Sequence, residues 1–481
     1  MIRPMTPIIF KWPIILKSPL LLGASALIAA GLATGLASGP AAAGLQERVR
    51  KPALAPVPRR RPDDAYRHLA EFGRVFENLA GGSAADTIKA LDLFAEVFNR
   101  VRTDYWKPVR PRLLIEAAIA AARARATATT TGTTTGGGAA AQSLAIAAVR
   151  GMIGALDPYS GFTAAADRAG ASRRHFGNIG LEVFVKKGAV TVISPHDGSP
   201  AARAGLSPGD VITGVDGNRF SNPTLGQALE KLQGPVGSEV RLLVTRPGAA
   251  PFEARMLRAI APGRTVRARL DGRVAVIRIA SFSANTTRDL RRALKKLRAA
   301  ANAKAARLDG VVLDLRNNSG GLLNAAINVA DTFLDSGEIV STRARAGPEG
   351  NSRQRRFNAR LGDAVRGKPV AVVVNAGSAS AAEIVAGALQ DLGRGVIIGT
   401  RSFGKGSVQT IMRIRGHGSL RLTTSHYYTP SGRSLDEAPI EPDVNAKACA
   451  RLAGRSVRPG DDAFLVCAAR RVRAMARAGR R

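Results

Sequence analysis

The run Asn375-Ala376-Gly377-Ser378-Ala379-Ser380-Ala381-Ala382-Glu383 places two serines where an apolar strand gives way to a helix, and Phe403-Gly404-Lys405-Gly406-Ser407-Val408-Gln409 follows downstream. A serine hydroxyl is a weak nucleophile until a base takes its proton. Arginine does not release its own proton and so cannot be that base, whereas a lysine desolvated between two glycines can be brought toward neutrality. These residue types fit acyl transfer at a carbonyl carbon, with lysine rather than histidine as the base.

Each position also has a plainer reading. Ser380 opens the helix, where its hydroxyl and the free N–H groups of the first turn face one space. Ser380-x-x-Glu383 equally fits a capping box, and Ser378 is an equal alternative nucleophile. Lys405 reads on its own as an exposed loop lysine. Gln409 is an even number of residues further on, which keeps it on the same side of an extended segment as Lys405, free to orient the amine. An ordinary polar strand residue fits that spacing as well. For the developing oxyanion, Asp314-Leu315-Arg316-Asn317-Asn318-Ser319-Gly320-Gly321 sits between a buried strand and a helix; the Gly320 and Ala381 N–H groups are the candidate donors, against a plain turn. His68, His175, His196, His417 and His426 are scattered without a triad motif, which disfavours a Ser-His-Asp arrangement. Cys449 and Cys467, the only cysteines, are too few for a zinc site; a disulfide and two buried thiols both remain open.

Several elements must position these groups. The chain has 481 residues, 45% of them hydrophobic, enough for two or three domains with real cores. Its net charge is +35, but only 5% of residues are aromatic and no basic stretch is interleaved with stacking rings, which argues against nucleic acid and for a solvated basic surface with loose attraction to anionic lipid. Residues 1–43 carry a basic start and an uncharged stretch ending Ala41-Ala42-Ala43, an export signal or membrane anchor. A Pro/Arg-rich linker covers 44–65 and a helical region 66–176, with a low-complexity, disordered insert expected near 123–141. A β-rich module spans 177–258: Ser199-Pro200 starts a short helix, Asp216-Gly217 marks a hairpin, and Val240, Leu242 and Val244 alternate on a strand. From 264 to 445 strands and helices alternate, as in a layered α/β core, and a basic segment closes the chain at 446–481.

Taken together, these motifs resemble the carboxy-terminal processing proteases, a serine/lysine peptidase family with an embedded PDZ domain. The resemblance runs from about Leu91 to Val444 and rests on an ordered set. Its members are Gly180-Leu181-Glu182-Val183, Gly198-Ser199-Pro200-Ala201-Ala202-Arg203-Ala204-Gly205, Pro208-Gly209-Asp210, Asp314-Leu315-Arg316-Asn317-Asn318, Ser378–Glu383, Phe403-Gly404-Lys405-Gly406 and Tyr428-Thr429-Pro430-Ser431-Gly432-Arg433. It implies a multidomain α+β protein: an N-terminal helical region, a PDZ-like domain and a crotonase/Clp-protease-like α/β catalytic core. It implies Ser380 as nucleophile, Lys405 as base, Gln409 as its positioning partner, the Gly320 and Ala381 backbones as oxyanion hole, and a structural role for Asp391. Gly180 and Leu181 would line the loop that receives a substrate tail. The implied activity is endoproteolysis of exported proteins with nonpolar C-terminal tails, in the periplasm or another extracytoplasmic compartment, without metal or cofactor. An adaptor lipoprotein, a homo-oligomer and membrane association fit the resemblance; nucleic acid does not. Ser319 stands where the family commonly has proline, and the insert and basic tail also depart from its pattern. The alternatives are a catalytically silent PDZ scaffold and, from the related core architecture, an acyl-CoA hydrolase, against which the embedded PDZ module and export signal speak.

Overall fold

The computed structural model describes residues 64–81, 83–130, 137–165, 176–186, 188–260, 265–303, 307–346, 353–436, 438–453 and 461–479. The segment expected to direct export lies outside these residues. Among the described residues no helix is long and apolar enough to cross a membrane.

Four helices open the described chain: α1 (Asp64–Ala80), α2 (Ala84–Asp104), α3 (Pro111–Thr130) and α4 (Gly137–Gly154). The apolar spacing read from the sequence becomes their shared core, in which Phe72 stacks on Phe94 at 3.7 Å between ring centroids. The expectation of a disordered insert near 123–141 is corrected here: α3 runs to Thr130 and α4 begins at Gly137, leaving only 131–136 outside the described residues. Alanine is the best helix former, and its small side chain lets helices approach closely. Ala122 and Ala141 are fully buried in that core, so tertiary packing supplies what composition alone does not promise. A turn then leads into β1 (Gly161–Ala164), with Asp157 Oδ1 accepting from the N–H groups of Tyr159 and Ser160.

After β2 (Phe176–Gly177) comes the β-rich module: β3 (Leu181–Lys186), β4 (Ala189–Pro195), α5 (Pro200–Arg203), β5 (Val211–Val215), β6 (Asn218–Arg219), α6 (Leu225–Leu232), β7 (Gly234–Pro235), β8 (Glu239–Thr245) and β9 (Phe252–Leu257). Its sheet runs β3-β4-β5-β8-β9 with β6 on β5, which leaves β3 at an edge. Ser199 caps α5 by accepting from Ala202 N–H at 3.1 Å, and Thr224 caps α6 in a capping box with Gln227.

The last region contains β10 (Val266–Asp271), β11 (Val274–Ile279), α7 (Thr286–Ala303), β12 (Gly310–Asp314), α8 (Leu323–Asp331), β13 (Glu338–Ala344), β14 (Gln354–Asn358), β15 (Val370–Val374), α9 (Ala381–Asp391), β16 (Gly395–Gly399), β17 (Ser407–Ile414), β18 (Gly418–Tyr428), β19 (Val444–Asn445), α10 (Ala446–Ala453) and α11 (Ala463–Ala478). Its main sheet runs β10-β11-β12-β15-β16-β19 and is parallel except for the β10–β11 pair. A second sheet joins β1, β18, β13 and β14, with β17 along β18.

The main sheet is buried on both faces, which is why β12 and β15 are continuous apolar runs. α7, α8 and α9 pack on one face through Ala275, Ile277, Leu313 and Val372. The alternate residues Val276, Val312, Ala371 and Val373 face Cys467, Ala468 and Val472 of α11. The basic C-terminal segment is therefore part of the core. A Cys449–Cys467 disulfide ties α10 to α11. It closes a loop with a sequence separation of 18, a size for which cross-linking contributes about 3 kcal/mol. Reduction, or the double change Cys449→Ser and Cys467→Ser, is expected to lower unfolding stability by about that amount, measured by denaturant unfolding with and without reductant.

Candidate active site

Two neighbouring turns build the site, one after β12 and one after β15. Side chains lock them together: Asn317 N–H donates to Asn375 Oδ1 at 2.8 Å, and Asn375 Nδ2 donates to Asn317 Oδ1 at 2.8 Å. Ser378 completes the joint, donating to the Leu315 carbonyl at 2.9 Å and accepting from Asn375 N–H at 2.9 Å. Fully buried and committed on both sides, Ser378 has no free hydroxyl to offer. Of the two serines in the run, it is the structural one.

Ser380 differs in every respect. It is half-buried at the start of α9, with φ 53° and ψ −115°. A non-glycine residue at positive φ costs about 1–3 kcal/mol and is kept only where its surroundings enforce it. A strained strand-to-helix turn of this kind is how a nucleophilic serine is presented at the top of a sheet. Ser380 N–H donates to Glu383 Oε2 at 2.8 Å, which forms the carboxylate half of the capping box. The hydroxyl half is the weaker one: Ser380 Oγ faces Glu383 N–H in capping-box geometry, but that N–H bonds to the Ser380 carbonyl at 2.9 Å.

Glu383 does more than cap. It is fully buried, and its carboxylate accepts from Ser402 Oγ, from Gly404 N–H at 2.7 Å and from Lys405 N–H at 2.8 Å as well as from Ser380. Burial pushes its pKa up, against the pull of these hydrogen bonds. One carboxylate thus fastens the backbones of the nucleophile and base candidates to each other. Gly404, at φ 87°, sits so close to Pro439 that a Cβ would lie 2.6 Å from its Cγ. On the other side of Lys405, Gly406 N–H donates to Asp436 Oδ1 at 2.6 Å, and Asp436 also pairs with His426, whose ring lies 4.0 Å from that of Trp106.

The Lys405 side chain runs toward the β-rich module. Its Nζ sits 5.0 Å from the Tyr159 ring centroid, with no hydrogen bond to Ser380 Oγ among the described residues. It enters a cavity of ≈ 170 Å³ lined by Tyr159, Glu182, Val183, Leu225, Leu229, Gln409 and Arg421. Burial lowers the Lys405 pKa from its ordinary value; the Glu182 carboxylate opposes that shift and the Arg421 guanidinium adds to it. Gln409 shares the cavity, but its Nε2 donates to Ser407 Oγ at 2.9 Å rather than meeting the amine. Lys405 and Gln409 thus share one cavity, whereas Ser380 is not among its lining residues and is tied to Lys405 through the Glu383 carboxylate, which both backbones meet.

Gly320, at φ 113°, lies directly against the serine: a Cβ there would be 2.9 Å from Ser380 Cβ and 3.1 Å from Ala381 N. Its own N–H is turned onto Asn318 Oδ1 at 2.9 Å, while Ala381 N–H has no acceptor among the described residues. Asp391 is structural, as the resemblance implies: it accepts from Ser431 N–H and Ser431 Oγ and pairs with Arg433, tying the end of α9 to the Tyr428–Arg433 turn. In the β-rich module, Gly180 N–H donates to Asn178 Oδ1 at 2.9 Å and Leu181 begins edge strand β3.

That module is docked over the site. Asp197 makes two bonds to Arg278, Ser194 Oγ donates to the Asn317 carbonyl at 2.8 Å, and Phe184 meets Phe403 edge-on at 5.2 Å. Sequence reasoning missed Tyr159, Asn318 and Arg421 and saw Glu383 only as a cap. Glu383 alone had a readable signal, the one charge in the apolar first turns of a helix whose other polar residues, Gln390 and Asp391, stand at its end.

A β-rich module docked over a strained serine, with a partly desolvated lysine nearby, is an arrangement that fits a serine-type peptidase. Residues 273–446 match peptidase family S41 and residues 191–246 match the PDZ domain. A carboxy-terminal-processing protease of Bartonella bacilliformis is 39% identical over 372 residues, 76% of this chain and 77% of that protein. A probable CtpA-like serine protease of Staphylococcus aureus is 34% identical over 308 residues, 63% of this chain and 60% of that one. Among solved structures, a photosystem II D1 C-terminal processing protease is similar, with TM-score 0.60 and 28% identity, covering 76% of this chain and 93% of that one. The chain belongs to peptidase family S41, as a serine protease of the carboxy-terminal-processing kind with a PDZ domain.

Proposed function

We propose that this protein is a serine endopeptidase that captures the nonpolar C-terminal tails of exported proteins on its PDZ domain and cuts them with Ser380 and Lys405. The observation that carries this reading is Ser380 itself, held at positive φ beside the uncommitted Ala381 N–H and a glycine that leaves room next to it. Tail capture rests on β3, which lies at an edge of its sheet and can accept an added strand, and on the Val183, Leu225 and Leu229 side chains of the adjoining cavity. An extracytoplasmic setting is supported by the disulfide, since such bonds persist in oxidising compartments.

In the working state the Lys405 amine leaves the Tyr159 ring and meets the Ser380 hydroxyl. Uncharged, it takes the hydroxyl proton as Oγ bonds to the scissile carbonyl carbon. The N–H of Ala381, and that of Gly320 once released from Asn318, hold the oxyanion. Collapse breaks the C–N bond, the leaving amine takes the proton back from Lys405, and the acyl group stays on Ser380. Water, deprotonated by the same amine, then releases the new carboxylate and returns the proton to Ser380. A serine-reactive probe tests the assignment: it is expected to label the wild type and not Ser380→Ala. Labelling that persists in the variant excludes Ser380 as the nucleophile, and a silent scaffold would leave both unlabelled.

A further inference from the structure

The cavity that receives Lys405 also contains an unpaired guanidinium. Arg421 projects from β18 of the catalytic region, opposite Ile411 and Gly161, and faces Glu182 and Val183 of β3 and Leu225 and Leu229 of α6. It is half-buried, and none of its N–H groups has an acceptor among the described residues. Its donors are not sealed among the fully enclosed unsatisfied groups but open onto the cavity, where they have capacity for a ligand. Asp157, the other acid near it, is already committed to the Tyr159 and Ser160 N–H groups and the Ser160 hydroxyl.

We propose that Arg421 is the carboxylate subsite of tail capture, a cation lent by the catalytic region to the PDZ groove. This rests on the tail-capture reading. In the PDZ loop Gly180 N–H is already held by Asn178, so a side-chain cation beside the groove adds an anion contact that this donor does not supply. The cavity walls suit a small nonpolar residue, through Val183, Leu225 and Leu229, that carries an anionic group. The cavity holds two cationic side chains, Lys405 and Arg421, with Glu182 in its lining and Asp157, Asp436 and Glu383 acting on them from neighbouring elements. The two cations are not equivalent: lysine can discharge and serve as base, whereas arginine keeps its charge. A tail held on Arg421 leaves Lys405 free to turn to Ser380.

The carboxylate is either the terminal α-carboxylate or an acidic side chain near the tail end. Full-length Ser380→Ala protein, which binds without turnover, is titrated with three fluorescent peptides: a nonpolar tail ending in a free acid, the same tail amidated, and the amidated tail with glutamate as its last residue. The free acid is expected to bind at least tenfold more tightly than the amide. Arg421→Gln in the Ser380→Ala background is expected to bring it to the amide's level, and Arg421→Lys to restore part of the preference. Arg421-dependent tightening by glutamate alone supports the subsite with a side chain as the source. An unchanged acid preference in folded Arg421→Gln protein, or binding with no carboxylate preference at all, overturns the assignment while tail capture stands. Failure of every peptide to bind the Ser380→Ala protein overturns tail capture and this proposal with it.

Discussion

Replacing Lys405 with alanine is expected to reduce cleavage of a nonpolar-tailed protein by on the order of 10⁴-fold or more, and Ser380→Ala to do the same. The double variant should be no worse than either single one, because nucleophile and base act as one unit. Lys405→Arg should not restore activity: arginine supplies charge and reach but keeps its proton. The pH dependence carries the same logic. The amine works only when uncharged, so kcat/KM falls as pH drops through its pKa. Burial disfavours the charged form and moves that pKa down from its ordinary value. The acid limb of the wild-type profile is therefore expected below the ~10.4 of a free lysine. Glu182 opposes the shift, so Glu182→Gln should move the limb to still lower pH. A profile with no acid limb attributable to Lys405, or an active Lys405→Ala protein, would remove lysine from the chemistry.

Much of this organisation is legible in the sequence because local rules and tertiary burial agree. The apolar run Val370–Val374 is a strand buried on both faces, Ser199-Pro200 starts a helix, and the glycines beside Lys405 stand where backbone and ring atoms approach closely. What is hidden depends on distant partners. Alanine-rich 123–130 and 137–141 read as featureless because nothing local says they meet as packed helices. Ser378 and Ser380 are indistinguishable by type; only the Leu315 carbonyl, far away in the chain, consumes one hydroxyl and leaves the other. The direction of the Lys405 side chain is set by Tyr159 and Glu182, which belong to other regions of the chain. A spacing rule places lysine and glutamine on one side of a segment but cannot see that Ser407 takes the amide first.

Glu383→Ala is expected to be the most damaging single change that touches no reacting atom. Its carboxylate receives three backbone N–H groups and one hydroxyl in a site closed to water. Removing it strands donors that each cost about 1–3 kcal/mol when buried unpaired. Partial relaxation leaves a net loss of about 3–5 kcal/mol, measured by denaturant unfolding. Glu383→Gln separates the mechanical role from simple loss of packing. The amide keeps the volume and one acceptor, but its NH₂ must face either the Ser380 and Lys405 N–H groups or the Ser402 and Gly404 donors. Stability should then drop by about 1–2 kcal/mol, while kcat falls at least 10²-fold, in line with the cost of misplacing reacting groups by about an ångström. KM should change little, because β3 and the PDZ groove do not touch Glu383. A Glu383→Gln protein with near-normal kcat would show that the shared carboxylate merely packs the helix and that serine and lysine are aligned by something else.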